Sequence, residues 1–124
     1  MWLDRRAFAL GTAALAATPP ATAEGASRMY GLIGKMLAKP GQRDALMEAM
    51  LSGSKGMPGC LSYVVAADAE NPDAVWVTEV WTDAEHHRAS LQLPQVQAAI
   101  ARARPLIAGF GERFETIPLG GVGL

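Results

Sequence analysis

The sequence is poor in the residues that staple or metallate a small domain. It holds one cysteine, Cys60, and two histidines among 124 residues. An intramolecular disulfide is therefore excluded, and a closed zinc site cannot be assembled from soft ligands alone. An excess of one charge is also lacking: 11 basic residues face 12 acidic ones, for a formal net charge of −1, with no run of either sign. That excludes the electrostatic footprint of a nucleic-acid binder and a polybasic membrane anchor. The longest apolar stretch, near the N-terminus, is about ten residues, too short to span a bilayer. No P-loop, dinucleotide fingerprint or Ser/His/Asp arrangement occurs, and the glycines of the tail, Gly120-Gly121-Val122-Gly123, do not sit between a strand and a helix. No nucleotide, flavin or metal cofactor is expected. What remains is a chain that is 50% hydrophobic and long enough for one packed domain, without internal repeats.

The N-terminus reads as an address. Met1-Trp2-Leu3-Asp4-Arg5-Arg6-Ala7-Phe8 is followed by the small apolar run Ala9 to Ala17 and by Thr18-Pro19-Pro20-Ala21-Thr22-Ala23. Charged, apolar, then small is the order of a secretory signal. Residues 1–23 are expected to be that signal, Ala21-Thr22-Ala23 the cleavage site and 24–124 the mature domain. The arginine pair followed by Phe8 resembles a twin-arginine signal, which implies a periplasmic protein that folds before export. The alternative, a short amphipathic helix, meets a helix-breaking Pro19-Pro20 pair. Removing residues 1–23 takes away Arg5, Arg6 and Asp4 and leaves a net charge of −2, which selects no ligand. Cys60, in an apolar run after Pro58-Gly59, reads as a small buried residue rather than a reactive one.

Within the mature domain, Arg28 to Lys39 reads as a strand stopped by Pro40-Gly41. From Gln42 to Ser52, Leu46, Ala49 and Met50, continued by Gly53, fall at helical spacing. Cys60 to Ala67 and Ala74 to Trp81 form a hairpin around Asn71-Pro72-Asp73. Thr82-Asp83-Ala84-Glu85 fits a capping box with Thr82 as cap, so a helix should start there and run to about Leu91. Pro94 then opens a second segment carrying Val96, Ala99, Ile100 and Ala103, closed by Pro105. A last strand is expected from Gly111 to Ile117. Strand, helix, strand, strand, helix, strand is the split βαβ order of a ferredoxin-like α+β fold, βαββαβ. Two helical layers cover one face of such a sheet, yet the third strand puts Val75, Val77 and Trp81 on one face and Trp76 and Val80 on the other. The uncovered face calls for a second copy of the chain, that is, a homodimer.

The richest stretch is Thr78 to Leu91. Glu79 shares a strand face with Val77 and Trp81, so it should be partly desolvated, as suits a general base; an interface salt bridge is the alternative. His87 shares the spacing of Ala84 and Leu91 and should point at the sheet, whereas His86, about a hundred degrees around the helix, should face solvent. An inward imidazole over an apolar pocket can exchange a proton near neutral pH, or it can be a satisfied core histidine. Trp76 and Tyr63 read as packing residues. Trp81, ending its strand where the helix begins, could wall a cavity beside His87.

Tyr30 to Leu51, Met57-Pro58-Gly59-Cys60-Leu61-Ser62-Tyr63, Glu79-Val80-Trp81 with His87, and Ala89-Ser90-Leu91 through Arg104-Pro105-Leu106-Ile107 resemble the antibiotic biosynthesis monooxygenase domain, and within it the quinol monooxygenase subgroup. The resemblance spans residues 28 to 118. It implies a dimeric α+β barrel and oxidation of a quinol or polyphenol by dioxygen without metal or flavin, the substrate itself carrying the electrons. It would make His87 the proton acceptor or phenol anchor, Trp81 a pocket wall and Glu79 its supporting partner; Ser90 stands where many relatives carry a histidine. Because the superfamily also holds isomerases and members without known activity, a non-catalytic dimeric module binding a small aromatic molecule, or an isomerase, are the alternatives.

Overall fold

The computed structural model describes residues 28–124; the export signal expected over 1–23 lies outside the described residues. The elements in chain order are β1 (Tyr30–Ala38), α1 (Arg43–Ser52), β2 (Cys60–Ala67), β3 (Ala74–Trp81), α2 (Ala84–Ser90), α3 (Pro94–Ala103), a 3₁₀ turn (Arg104–Leu106) and β4 (Ile107–Thr116). The four strands form one antiparallel sheet in the order β2-β3-β1-β4. This is the ferredoxin-like α+β arrangement, and the first strand to be made lies in the interior of the sheet.

Alternation along β3 builds the core. Val75, Val77 and Trp81 are buried beneath the helices, and α1 sets Leu46, Ala49 and Met50 against them. Each fully buried aliphatic side chain here contributes about 1.5–3 kcal/mol. The two long helices meet at Gly53, the C-cap of α1. A methyl group there would lie 2.7 Å from the Gln95 carbonyl oxygen and 2.9 Å from Ala99 Cβ. Glycine is what lets α1 and α3 approach so closely.

The hairpin turn between β2 and β3 is organised by Asp68. Its Oδ1 accepts from the amides of Glu70 and Asn71, both at 2.9 Å, and its Oδ2 from Trp76 Nε1 at 2.7 Å. The Asn71 and Glu70 amides, then the Trp76 indole, lower the Asp68 carboxyl to about 2, because each donor favours the charged form.

Two sequence expectations need correction. The cap of α2 is Asp83, not Thr82: Asp83 is extended, and its Oδ1 accepts from the His86 amide at 2.7 Å. The Thr82 amide instead donates to the Gly59 carbonyl at 2.9 Å, which keeps Thr82 tied to the loop before β2 and delays the helix by one residue. The last strand starts at Ile107 rather than Gly111. Its Ala108-Gly109-Phe110-Gly111 stretch has little strand propensity, but pairing with β1, with register shifts near Met36, holds it in the sheet, so tertiary context outweighs local preference.

The helices cover one face only. On the other lie Ile33, Leu37, Val64, Trp76, Val80 and Phe114; Val64 and Phe114 are 51% and 53% exposed.

Candidate active site

Between the sheet and the helices lies a cavity of about 770 Å³. Leu32, Met36, Tyr63 and Glu79 rise from the sheet to form its floor, and Met50, Val96, Ala99 and Ile100 descend from the helices as its roof. Its walls are therefore mostly apolar, interrupted by a small number of polar groups, the pattern of small-molecule sites. Those polar groups gather where β3 ends and α2 begins.

His87 enters this cavity one turn into α2, and its side chain is only 17% exposed. The turn from β3 into the Asp83 cap aims the helix so that position 87 faces inward, while His86 stays exposed and pairs with Asp83 Oδ1 at 2.8 Å. The imidazole is held between two aromatic rings. Tyr30 lies 5.0 Å away with its plane tilted by 32°, and Trp81 lies 5.5 Å away edge-on at 72°. Glu79 Oε1 is 3.9 Å from His87 Nε2. That separation is an ion-pair distance when the ring is protonated, and too long for a direct hydrogen bond.

Glu79 itself is fixed. Trp81 Nε1, on a ring that is fully buried, donates to Glu79 Oε1 at 2.9 Å. Strand alternation makes this possible, since residues two apart share a face. The same oxygen thus takes a hydrogen bond from the indole and faces the imidazole, and a proton arriving on His87 meets a nearby negative charge.

The three residues singled out from the sequence, Glu79, Trp81 and His87, are brought together. Others were missed. Tyr30 packs on His87, and its hydroxyl donates to Glu115 Oε2 at 2.6 Å; burial first, then that hydrogen bond, push the hydroxyl up from its usual value. Tyr63 stands opposite Glu79 in the β2–β3 register. Burial and then the Glu79 carboxylate push its hydroxyl upward, so at neutral pH it stays protonated and able to donate. Arg104 and Arg113 also line the cavity. The strand alternation of Tyr30 with Leu32 and Met36 was a usable signal for the first of these; the rest depend on strand register, which no local pattern encodes. Cys60 lies nearby, half-buried, with its thiol pushed up by burial and then by Glu79; that environment disfavours the reactive thiolate. Among the described residues no group of three or more His, Cys, Asp or Glu side chains converges as a metal-ligand set.

Sheet order, one-sided helices and a half-open, mostly apolar hollow with one polar corner define a ferredoxin-like α+β domain with a pocket of small-molecule size. The chain belongs to the antibiotic biosynthesis monooxygenase family, whose model matches residues 29–102. A crystal structure of a candidate antibiotic biosynthesis monooxygenase from Chloroflexus aurantiacus is 63% identical, covering 75% of this chain and 95% of that one, with a TM-score of 0.74. A second candidate of the same description, from Caulobacter crescentus, is 17% identical over 77% of this chain and 93% of its own, with a TM-score of 0.69. A Pseudomonas aeruginosa protein is 19% identical over 77% and 98%, with a TM-score of 0.64. The last two speak to the fold alone. A comparison with curated proteins gives no match.

Proposed function

We propose that the protein is a cofactor-independent monooxygenase that oxidises a quinol or polyphenol with dioxygen. The observation that carries this reading is the placement of His87 inside an apolar cavity, clasped by Tyr30 and Trp81 and faced by the Glu79 carboxylate. Family membership gives the reaction class its support. In this reading His87 takes a proton from a substrate hydroxyl, Glu79 stabilises the resulting imidazolium, and Trp81 holds Glu79 in place and walls the pocket. The electron-rich phenolate then reduces dioxygen directly. For a quinol the balance closes: four electrons leave the organic molecule, one oxygen atom replaces a ring C–H by C–OH as the quinol becomes a hydroxyquinone, and the other oxygen leaves as water. The apolar walls exclude bulk water and fix orientation, which is the protein's contribution to rate.

In the same reading the protein acts as a homodimer, two copies packing the uncovered sheet faces that carry Val64, Trp76 and Phe114. It is exported, on the order of residues at positions 1–23. Oxygen uptake by the purified protein with a panel of quinols tests the activity. His87→Ala should lower it by roughly 10²–10⁴-fold, the usual worth of a positioned acid–base group. Uptake untouched by that change rejects the site. Tight binding of aromatic ligands without uptake for any quinol makes the protein a binding module, and product formed without oxygen consumption makes it an isomerase.

A further inference from the structure

The strand register sorts the helix-covered face of the sheet into rows. The row at Leu32 holds Tyr63, Glu79 and Glu115, three polar side chains of four. The next row, at Gly34, holds Val65, Val77 and Arg113, and Arg113 reaches back to Glu115 at 3.6 Å. In the row at Met36 every residue is apolar: Ala67, Val75, Met36 and Phe110. Polarity thus falls away between Leu32 and Met36, about 13 Å apart at the rise of a strand. The roof follows the same division. His87 comes from α2 over the polar rows, and the nearby Ser90 hydroxyl is spent on the His87 carbonyl at 2.6 Å. From there α3 runs toward the end of the sheet where Ile107 pairs with Ala38, and it lends the cavity Val96, Ala99, Ile100 and Ala103, all apolar. Ile100 and Phe110 line the cavity and are nonetheless 38% and 72% exposed. An apolar path therefore leads from the polar corner to solvent, and large apolar side chains left exposed around a hollow mark a ligand groove.

We infer that the substrate is an amphipathic phenol or quinol, its hydroxylated ring against His87 and Glu79 and an extended apolar substituent running over Met36 toward Phe110 and Ile100. A volume of about 770 Å³ is that of a site for a drug-sized molecule, and a lone ring held at His87 would leave the Met36 end bare. Met36 and Met50, flexible and polarizable, can mould themselves to such a substituent. The substituent also sets direction without a polar contact of its own. Reversing the molecule would bury its hydroxyl among apolar side chains with no partner, which is costly. This inference rests on the cavity being the substrate site of the proposed activity, and recognition of the apolar part is read by binding alone.

A series of 4-alkylphenols, which lack the second hydroxyl of a quinol, tests it by calorimetry on the full protein. Burial of one methylene tightens binding roughly fourfold, so affinity should rise by at least about tenfold from 4-ethylphenol to 4-hexylphenol. Removing the hydroxyl proton, as in 4-hexylanisole, should weaken binding roughly fivefold. The chain has two histidines, which makes the location of the ring readable by NMR: the imidazole signals of His87 should move when 4-hexylphenol binds, while those of His86, exposed and paired with Asp83, stay in place. Phe110→Ser, at a surface position that tolerates change, should reduce the gain from ethyl to hexyl. A gain that is absent or untouched by Phe110→Ser, equal binding of the phenol and the anisole, or binding that leaves the His87 signals unmoved overturns the inference. Chain-dependent binding with no oxygen uptake from 2-hexylhydroquinone would remove the monooxygenase reading and keep this one. Oxygen uptake from hydroquinone itself, with a KM that the 2-hexyl chain does not improve, would do the reverse.

Discussion

Gly53→Ala is a small change whose sign is set by the packing of the two helices over the cavity. The backbone at Gly53 has φ −104°, which alanine adopts without strain. In open space the substitution would therefore stabilise by about 0.4–1 kcal/mol, because alanine has less conformational freedom to lose on folding. Space is what is missing. The added methyl would lie 2.7 Å from the Gln95 carbonyl oxygen and 2.9 Å from Ala99 Cβ, against the 3.5–4.0 Å at which non-bonded carbons normally meet. The Gln95 contact is with main chain, so no rotamer change relieves it and α3 must move by several tenths of an ångström. Overpacking of this kind costs about 1–3 kcal/mol, which exceeds the entropic gain and leaves a net loss of ~0.5–2 kcal/mol. Urea denaturation at equilibrium measures it directly. Ala99→Gly in the Gly53→Ala background removes one of the two contacts, so the double variant should be more stable than the sum of the two single effects, a favourable coupling readable in a double-mutant cycle. Because Gly53 and Ala99 both line the cavity, displacement of α3 should also weaken ligand binding. A Gly53→Ala protein as stable as wild type would refute the reasoning and show that the helices are free to separate there.

Other expectations concern separate parts of the molecule. Trp81→Phe deletes the donor that holds Glu79 Oε1 at 2.9 Å and leaves a gap in a fully buried position, for a loss of about 2–4 kcal/mol in the same urea assay. The Asp68 carboxyl, lowered to about 2 by its three donors, gives stability that is present above its ordinary carboxylate range and is lost as pH falls through the folded value. Wild-type protein should accordingly weaken between about pH 4 and pH 2, and Asp68→Asn should be the less stable of the two at pH 7 and flatter across that acid window; parallel denaturation curves at both pH values would contradict this. Val64→Glu puts a charge on the uncovered sheet face. If that face joins two copies, light scattering should report a shift from dimer to monomer with the fold unchanged by circular dichroism.

The parts of this structure that could be read in the chain are those set by near neighbours. Both strands of the hairpin, Cys60–Ala67 and Ala74–Trp81, end where expected because two runs rich in strand formers, Tyr63-Val64-Val65 and Val75-Trp76-Val77, flank an Asn-Pro-Asp turn that specifies itself. The inward turn of His87 and outward turn of His86 follow from helical periodicity alone, and the shared face of Glu79 and Trp81 from strand periodicity. Asp83 and Thr82 are adjacent capping residues of similar propensity, and a long-range bond from the Thr82 amide to Gly59 decided between them. The glycine-rich start of β4 was illegible for the same reason: its place in the sheet is owed to β1, some seventy residues earlier in the chain. With that strand came Arg113 and Glu115, and through Glu115 the anchoring of Tyr30 against His87. Half of the polar corner is thus local grammar and half is register.

Mass spectrometry of the product formed under ¹⁸O₂ tests the central claim most directly. A quinol converted by wild-type protein should gain one labelled oxygen atom, the other appearing in water, and the His87→Ala protein should form that labelled product far more slowly. A product that takes its new oxygen from solvent, or that forms at the same rate without the imidazole, would contradict the account.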